Sequence, residues 1–79
     1  MIKIGCNLVL SDGNKYTVLE IIEMNNNKYI FLVDINNPSN TFYGRLDKTD
    51  IVIVEDKKVL ESLMLRTVKN INEILKNTK

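Results

Sequence analysis

Few side chains in this sequence are suited to chemistry, and their spacing limits what they could do. Histidine is absent and Cys6 is the single cysteine, so the usual general base is missing and Cys6 has no histidine to activate it. One cysteine also rules out an internal disulfide. Ser11 and Asp12 are adjacent, but they belong to Ser11-Asp12-Gly13-Asn14, a sequence that reads as a chain reversal. Asp47 and Asp50 bracket a second turn, and Glu55-Asp56 mark a junction. Neither pair has the alternating acidic spacing of a calcium loop. Gly5, Gly13 and Gly44 stand apart, so no phosphate-cradling loop is present. Glu20 and Glu23, in the first of the central strands, read as solvent-facing, with partial burial left open for Glu20. A non-enzymatic protein is expected, with no cofactor and no metal.

Binding remains. Aromatic and arginine side chains dominate interface energetics, and Tyr29, Phe42 and Tyr43 are aromatics set among charges, with Arg45 beside them. Phe42, Tyr43 and Arg45 are candidate partner-binding residues on the strands. Met64, Leu65 and Ile71 are the candidates on the C-terminal helix.

The elements that must position these residues centre on Lys15 to Ile35, KYTVLEIIEMNNNKYIFLVDI. β-Branched and aromatic residues predict a strand over 15–23 and a return strand over 28–34. The Asn25-Asn26-Asn27 run suits the reversal between them, because asparagine tolerates a positive φ. Ile21 and Ile22 break the alternation, and a bulge there is expected to keep Tyr16, Val18 and Ile22 on one side. Both faces of 28–34 are apolar, so cover on both sides is expected. Met1 to Gly5 reads as extended, with Ile2 and Ile4 on one face. Asn7–Leu10 is a strand with Leu8 and Leu10 inward, joined to the central pair through Asp12-Gly13. After a loop around Pro38, Thr41–Leu46 is a fourth strand, and Gly44 within it signals a close approach or a sharp coil. Asp47-Lys48-Thr49-Asp50 turns the chain into a fifth strand, Ile51–Glu55.

Asp56 is placed to cap a helix running from Lys57 to about Lys76. Leu60, Leu63, Met64, Thr67, Val68, Ile71, Ile74 and Leu75 follow helical spacing and must meet the sheet or another helix. Twenty residues make a helix of ~30 Å, and six-residue strands span ~20 Å. The last turns are therefore expected to overhang the sheet; a homodimer would bury the overhang, and a bent or frayed tail is the alternative.

The fold class is α+β: a curled or SH3-like antiparallel meander of about five strands with one long C-terminal helix. A chain of 79 residues forms one domain, with the sheet in 1–55 and the helix in 56–77. Residues 1–56 carry five cations and eight acids; residues 57–79 carry Lys57, Lys58, Arg66, Lys69, Lys76 and Lys79 against Glu61 and Glu73. The basic helix admits a nucleic-acid reading, but the acidic sheet opposes phosphate. The start MIKIGCNLVL lacks the features of a signal peptide, and no apolar run approaches a membrane span. A cytoplasmic protein without membrane contact is expected.

The opening LSDGxxYxV at Leu10–Val18 and the return strand KYIFLV at Lys28–Val33 resemble small uncharacterised proteins of low-GC Gram-positive bacteria and their mobile elements. The resemblance covers most of residues 2–55. It implies a shared fold and carries no catalytic residues. Such proteins commonly follow the hairpin with a more acidic segment, where this chain has TFYGRL. Short mobile-element proteins are often inhibitors of a host machine, which supplies a further reading by analogy.

Overall fold

A computed structural model describes residues 2–48 and 50–77. The expectations for Met1, Thr49 and Lys79 concern residues outside these. Five strands follow one another: β1 (Asn7–Val9), β2 (Lys15–Met24), β3 (Asn27–Asp34), β4 (Thr41–Asp47) and β5 (Asp50–Ile53). Each pairs antiparallel with the next, giving a meander in the order β1-β2-β3-β4-β5 that curls into a half-barrel. Among the described residues one helix, α1 (Lys57–Asn77), follows the sheet.

The turns form where backbone chemistry favours them. Gly13 has φ +82 and donates to the Leu10 carbonyl at 2.9 Å, while Leu10 donates to Asn14 at 3.1 Å. The glycine takes a conformation that a Cβ would disfavour. Asn25 and Asn26 sit at φ 53 and 63, and Met24 pairs with Asn27. This two-residue reversal matches the twist of the strands it joins. In the β3–β4 loop, buried Asp34 accepts from the Asn36 amide at 2.9 Å and from Asn40 Nδ2 at 3.4 Å. The N-terminal segment differs from expectation. Ile2 packs on the core, but Ile4 is 66% exposed. A turn between them explains this: Cys6 donates to the Lys3 carbonyl at 3.1 Å, and Gly5 has φ +90.

The concave side of the sheet holds Tyr16, Val18, Ile30 and Leu32, ringed by Leu8, Leu10, Ile21, Phe42, Leu46 and Ile51. Gly44 allows the tight curl here. A Cβ at Gly44 would lie 2.6 Å from Ile51 Cγ2, so the β5 side chain occupies the space that any other residue would fill. The convex side holds Ile22, Tyr29 and Tyr43 beneath Leu63 of the helix, with Phe31, Val54, Val59 and Leu60 around them. Val33 and Phe31 on one face of β3 and Leu32 and Ile30 on the other are all at least half-buried. This is why the strand lacks polar alternation.

The bulge lies earlier than expected and has a different effect. Val18 pairs with Leu32 and Glu20 with Phe31, so the extra residue is Leu19, which is exposed. The one-residue slip moves every later side chain to the other face. Ile22 therefore joins the helix side and not the side of Tyr16 and Val18, while Ile21 takes the concave side. Glu20 moves with Ile22. Without the slip its carboxylate would enter the apolar concave core.

Asp56 caps α1 as the sequence implies. Its Oδ1 accepts from the amides of Lys58 at 2.9 Å and Val59 at 3.4 Å. Among the described residues no helix is long and apolar enough to cross a membrane.

Candidate functional site

The helix meets the sheet along one line of side chains: Val59, Leu60, Leu63, Thr67 and Asn70, all at least half-buried. The first three are apolar and sit over Ile22, Tyr29 and Tyr43. Leu63 has no exposed surface, and burying such a side chain contributes about 2–3 kcal/mol. One turn later the line becomes polar. Thr67 Oγ1 donates to Glu20 Oε1 at 2.7 Å, and Asn70 Nδ2 donates to Glu20 Oε2 at 2.6 Å. The threonine hydroxyl has a single proton and spends it on the carboxylate. The Tyr43 hydroxyl, 2.6 Å from Thr67 Oγ1, must therefore be the donor to it. Tyr43, Thr67 and Glu20 thus form a directed chain that ends on a charge, and bonds to an ionised acceptor are the stronger kind. Neither the large concave cleft nor the small one beside Arg45 is lined by Glu20, Tyr43, Thr67 or Asn70. The arrangement works as a clasp between β2, β4 and α1.

Each helical residue advances about 100°, so Met64, Val68, Ile71 and Leu75 form a second apolar line about 110° around from the docked one. These four, with Leu65 and Ile74 on either flank, are 50 to 72% exposed. The cations Lys58, Arg66, Lys69 and Lys76 project on the remaining side, together with Glu73. The outer surface of α1 is therefore divided into an apolar strip and a charged one.

The six candidate binding residues do not form one surface. Tyr43 was expected to be exposed but is only 6% exposed, because it lies under the helix against Phe31, with ring centroids 4.8 Å apart. Tyr29 is buried beside it. Phe42 is half-buried on the opposite face, edge-on to Tyr16 at 5.1 Å. The strand aromatics are core for a common reason: both faces of the sheet are covered, so an aromatic pointing either way finds cover. Arg45 is half-buried and lines a small cleft with Val52, Glu55 and Val59. Met64, Leu65 and Ile71 do lie on the solvent side of α1.

Three features escape sequence reasoning. The helix stripe splits: Ile71, Ile74 and Leu75 are exposed, in line with the expected overhang of the last turns, but Met64 and Val68 of the same stripe stand outside as well. Spacings of four, three and four from Met64 to Leu75 mark that second line. The Glu20 clasp depends on where the bulge falls, which has no local signal. The third is a bond from the Tyr16 hydroxyl to Asp12 Oδ2 at 2.6 Å. That bond, with the Asn14 amide, holds the Asp12 carboxyl below its usual 3.8, and the bond to Asp12 pushes the Tyr16 hydroxyl above 10.0.

The concave side opens between β1 and β5 as a cleft of about 910 Å³, with Leu8, Leu10, Phe42 and Ile51 on its floor and Asp12, Lys48 and Asp50 among its other lining residues. Its floor is made of side chains that also build the core. Among the described residues, no group of three or more His, Cys, Asp or Glu could hold a metal ion. No protein family, curated protein or solved structure matches this chain.

Proposed function

We propose that this chain is a non-enzymatic protein-interaction module that binds through the outer apolar line of α1, beginning with its own self-association. One observation carries the reading: Met64, Val68, Ile71 and Leu75 form one line on the helix and are all half-exposed or more, with exposed Leu65 and Ile74 on its two flanks. Single exposed apolar residues are ordinary, but contiguous patches beyond about 300–600 Å² mark interaction surfaces. The sheet does not need these residues, because α1 is already held by Leu63 and by the Glu20 clasp. Their burial is therefore left to a partner.

The test is light scattering across a wide concentration range, on the unaltered chain and on a Val68→Lys/Ile71→Glu variant. The unaltered chain should exceed its 9.1 kDa monomer mass, and the variant should stay monomeric with the same circular dichroism spectrum. A monomer at every concentration removes self-association from the reading.

A further inference from the structure

We propose that the outer line of α1 pairs with the same line of a second copy in antiparallel orientation, in an interface with two-fold symmetry. This rests on the self-association reading above and adds the partner's direction and register. Met64, Val68, Ile71 and Leu75 repeat at the alternating four-and-three spacing of a helix-pairing seam. The positions beside that seam are Leu60, Leu65, Thr67, Asn72 and Ile74. All are uncharged, so two such faces can approach without desolvating an ion. The charges of this segment, Arg66, Lys69, Glu73 and Lys76, project away from it.

The seam side chains Met64, Val68, Ile71 and Leu75 are 50 to 65% exposed, and Leu65 and Ile74 lie on its two opposite flanks, so a second rod laid along the seam covers the line and the near edge of each flank.

Charge decides the direction. Continued toward the start of the helix, the same seam reaches Glu61 and Lys57. A parallel pair would place Glu61 of one copy against Glu61 of the other, and Lys57 against Lys57. Like charges facing across a seam are destabilising. An antiparallel pair sets Met64 opposite Leu75 and Val68 opposite Ile71. Glu61 and Lys57 then fall beyond the apolar overlap and stay in water. This direction also places the two sheets, each packed on the first half of its own helix, at opposite ends of the paired rods.

Disulfide trapping tests the direction. Cys6 is replaced by alanine so that an introduced thiol is the only one present, and Met64→Cys and Leu75→Cys proteins are prepared separately. Light scattering is measured on the same samples. The expected result is a dimer in which mixing the two proteins under mild oxidation gives a crosslinked heterodimer, identified by mass spectrometry. Each protein alone should crosslink several-fold less. A dimer in which Leu75→Cys crosslinks efficiently to itself overturns the antiparallel direction and leaves self-association standing. A dimer that crosslinks in neither way overturns this seam. A sample that stays monomeric overturns the underlying reading.

Discussion

From Lys57 to Asn70, α1 turns Val59, Leu60 and Leu63 into the sheet; from Ile71 onward it turns Ile71, Ile74 and Leu75 toward solvent. Both halves are amphipathic and both are free of glycine and proline. What separates them is the surface opposite. The first half meets Ile22, Tyr29 and Tyr43, and at Thr67 and Asn70 it meets a carboxylate. Beyond that point the sheet offers no apolar counterpart. The polar clasp therefore marks the end of the docked line, while the exposed line that begins beside it at Met64 and Val68 runs on to Leu75. A helix stripe is a demand for burial, and the partner that meets it can differ from one turn to the next.

Substitutions at matched positions in the two halves should break this contrast if it is wrong. Leu63→Ala removes a fully buried side chain and is expected to cost about 2–5 kcal/mol, close to unfolding a domain this small. Ile71→Ala, measured by denaturant unfolding at a concentration where the chain is monomeric, should change stability by less than about 0.5 kcal/mol. Equal losses at the two sites would mean that the second half also packs on the sheet.

The clasp between them can be sharpened by a double-mutant cycle. Glu20→Ala should cost about 1–2 kcal/mol, since it leaves the Thr67 and Asn70 donors without their acceptor. Glu20→Ala and Asn70→Ala together should cost less than the sum of the two, with a coupling of about 1 kcal/mol. Additive losses in thermal or chemical unfolding would show that the carboxylate does not hold the helix.

The smallest effect lies away from the helix and bears on the concave side. The folded Asp12 carboxyl titrates below 3.8, so its contribution to stability is present above that value and is lost as pH falls through the lowered one. The folded Tyr16 hydroxyl titrates above 10.0, so the same bond contributes below pH 10.0 and is lost as pH rises through the raised value. Asp12→Asn should thus lower the melting temperature slightly at neutral pH, and the difference from the unaltered chain should shrink toward both extremes. A difference that is constant down to strongly acidic pH would dismiss the bond as a stabilising one.

Much of the architecture could be read from local residue choices. Asp12-Gly13 and the asparagine run supply the left-handed backbone that tight reversals require, and Asp56 supplies an acceptor for free helical amides. Each acts within a few residues, so the signal is complete wherever those residues occur. The five strands, their meander order and the helix follow from such punctuation together with the apolar pattern between it. The exposure of the aromatics was not legible in the same way. Tyr43 followed by Gly44 and Arg45 looks like a surface motif until the helix is laid across it.

Tertiary structure alone decided where β2 slips. Ile21-Ile22 shows that the alternation must break, but Leu19 is extruded because Val18 and Glu20 then face Leu32 and Phe31 on β3. That choice weighs a carboxylate in an apolar core against one exposed leucine, and the strand that makes the comparison lies elsewhere in the chain. It also selects which line of α1 docks, since Glu20 on the helix side gives Thr67 and Asn70 their acceptor. Residue order was enough to show that the chain turns, pairs and carries an amphipathic rod after its strands. The fold determined which side of that rod is core and which stays exposed, because burial is settled between surfaces that are distant in sequence.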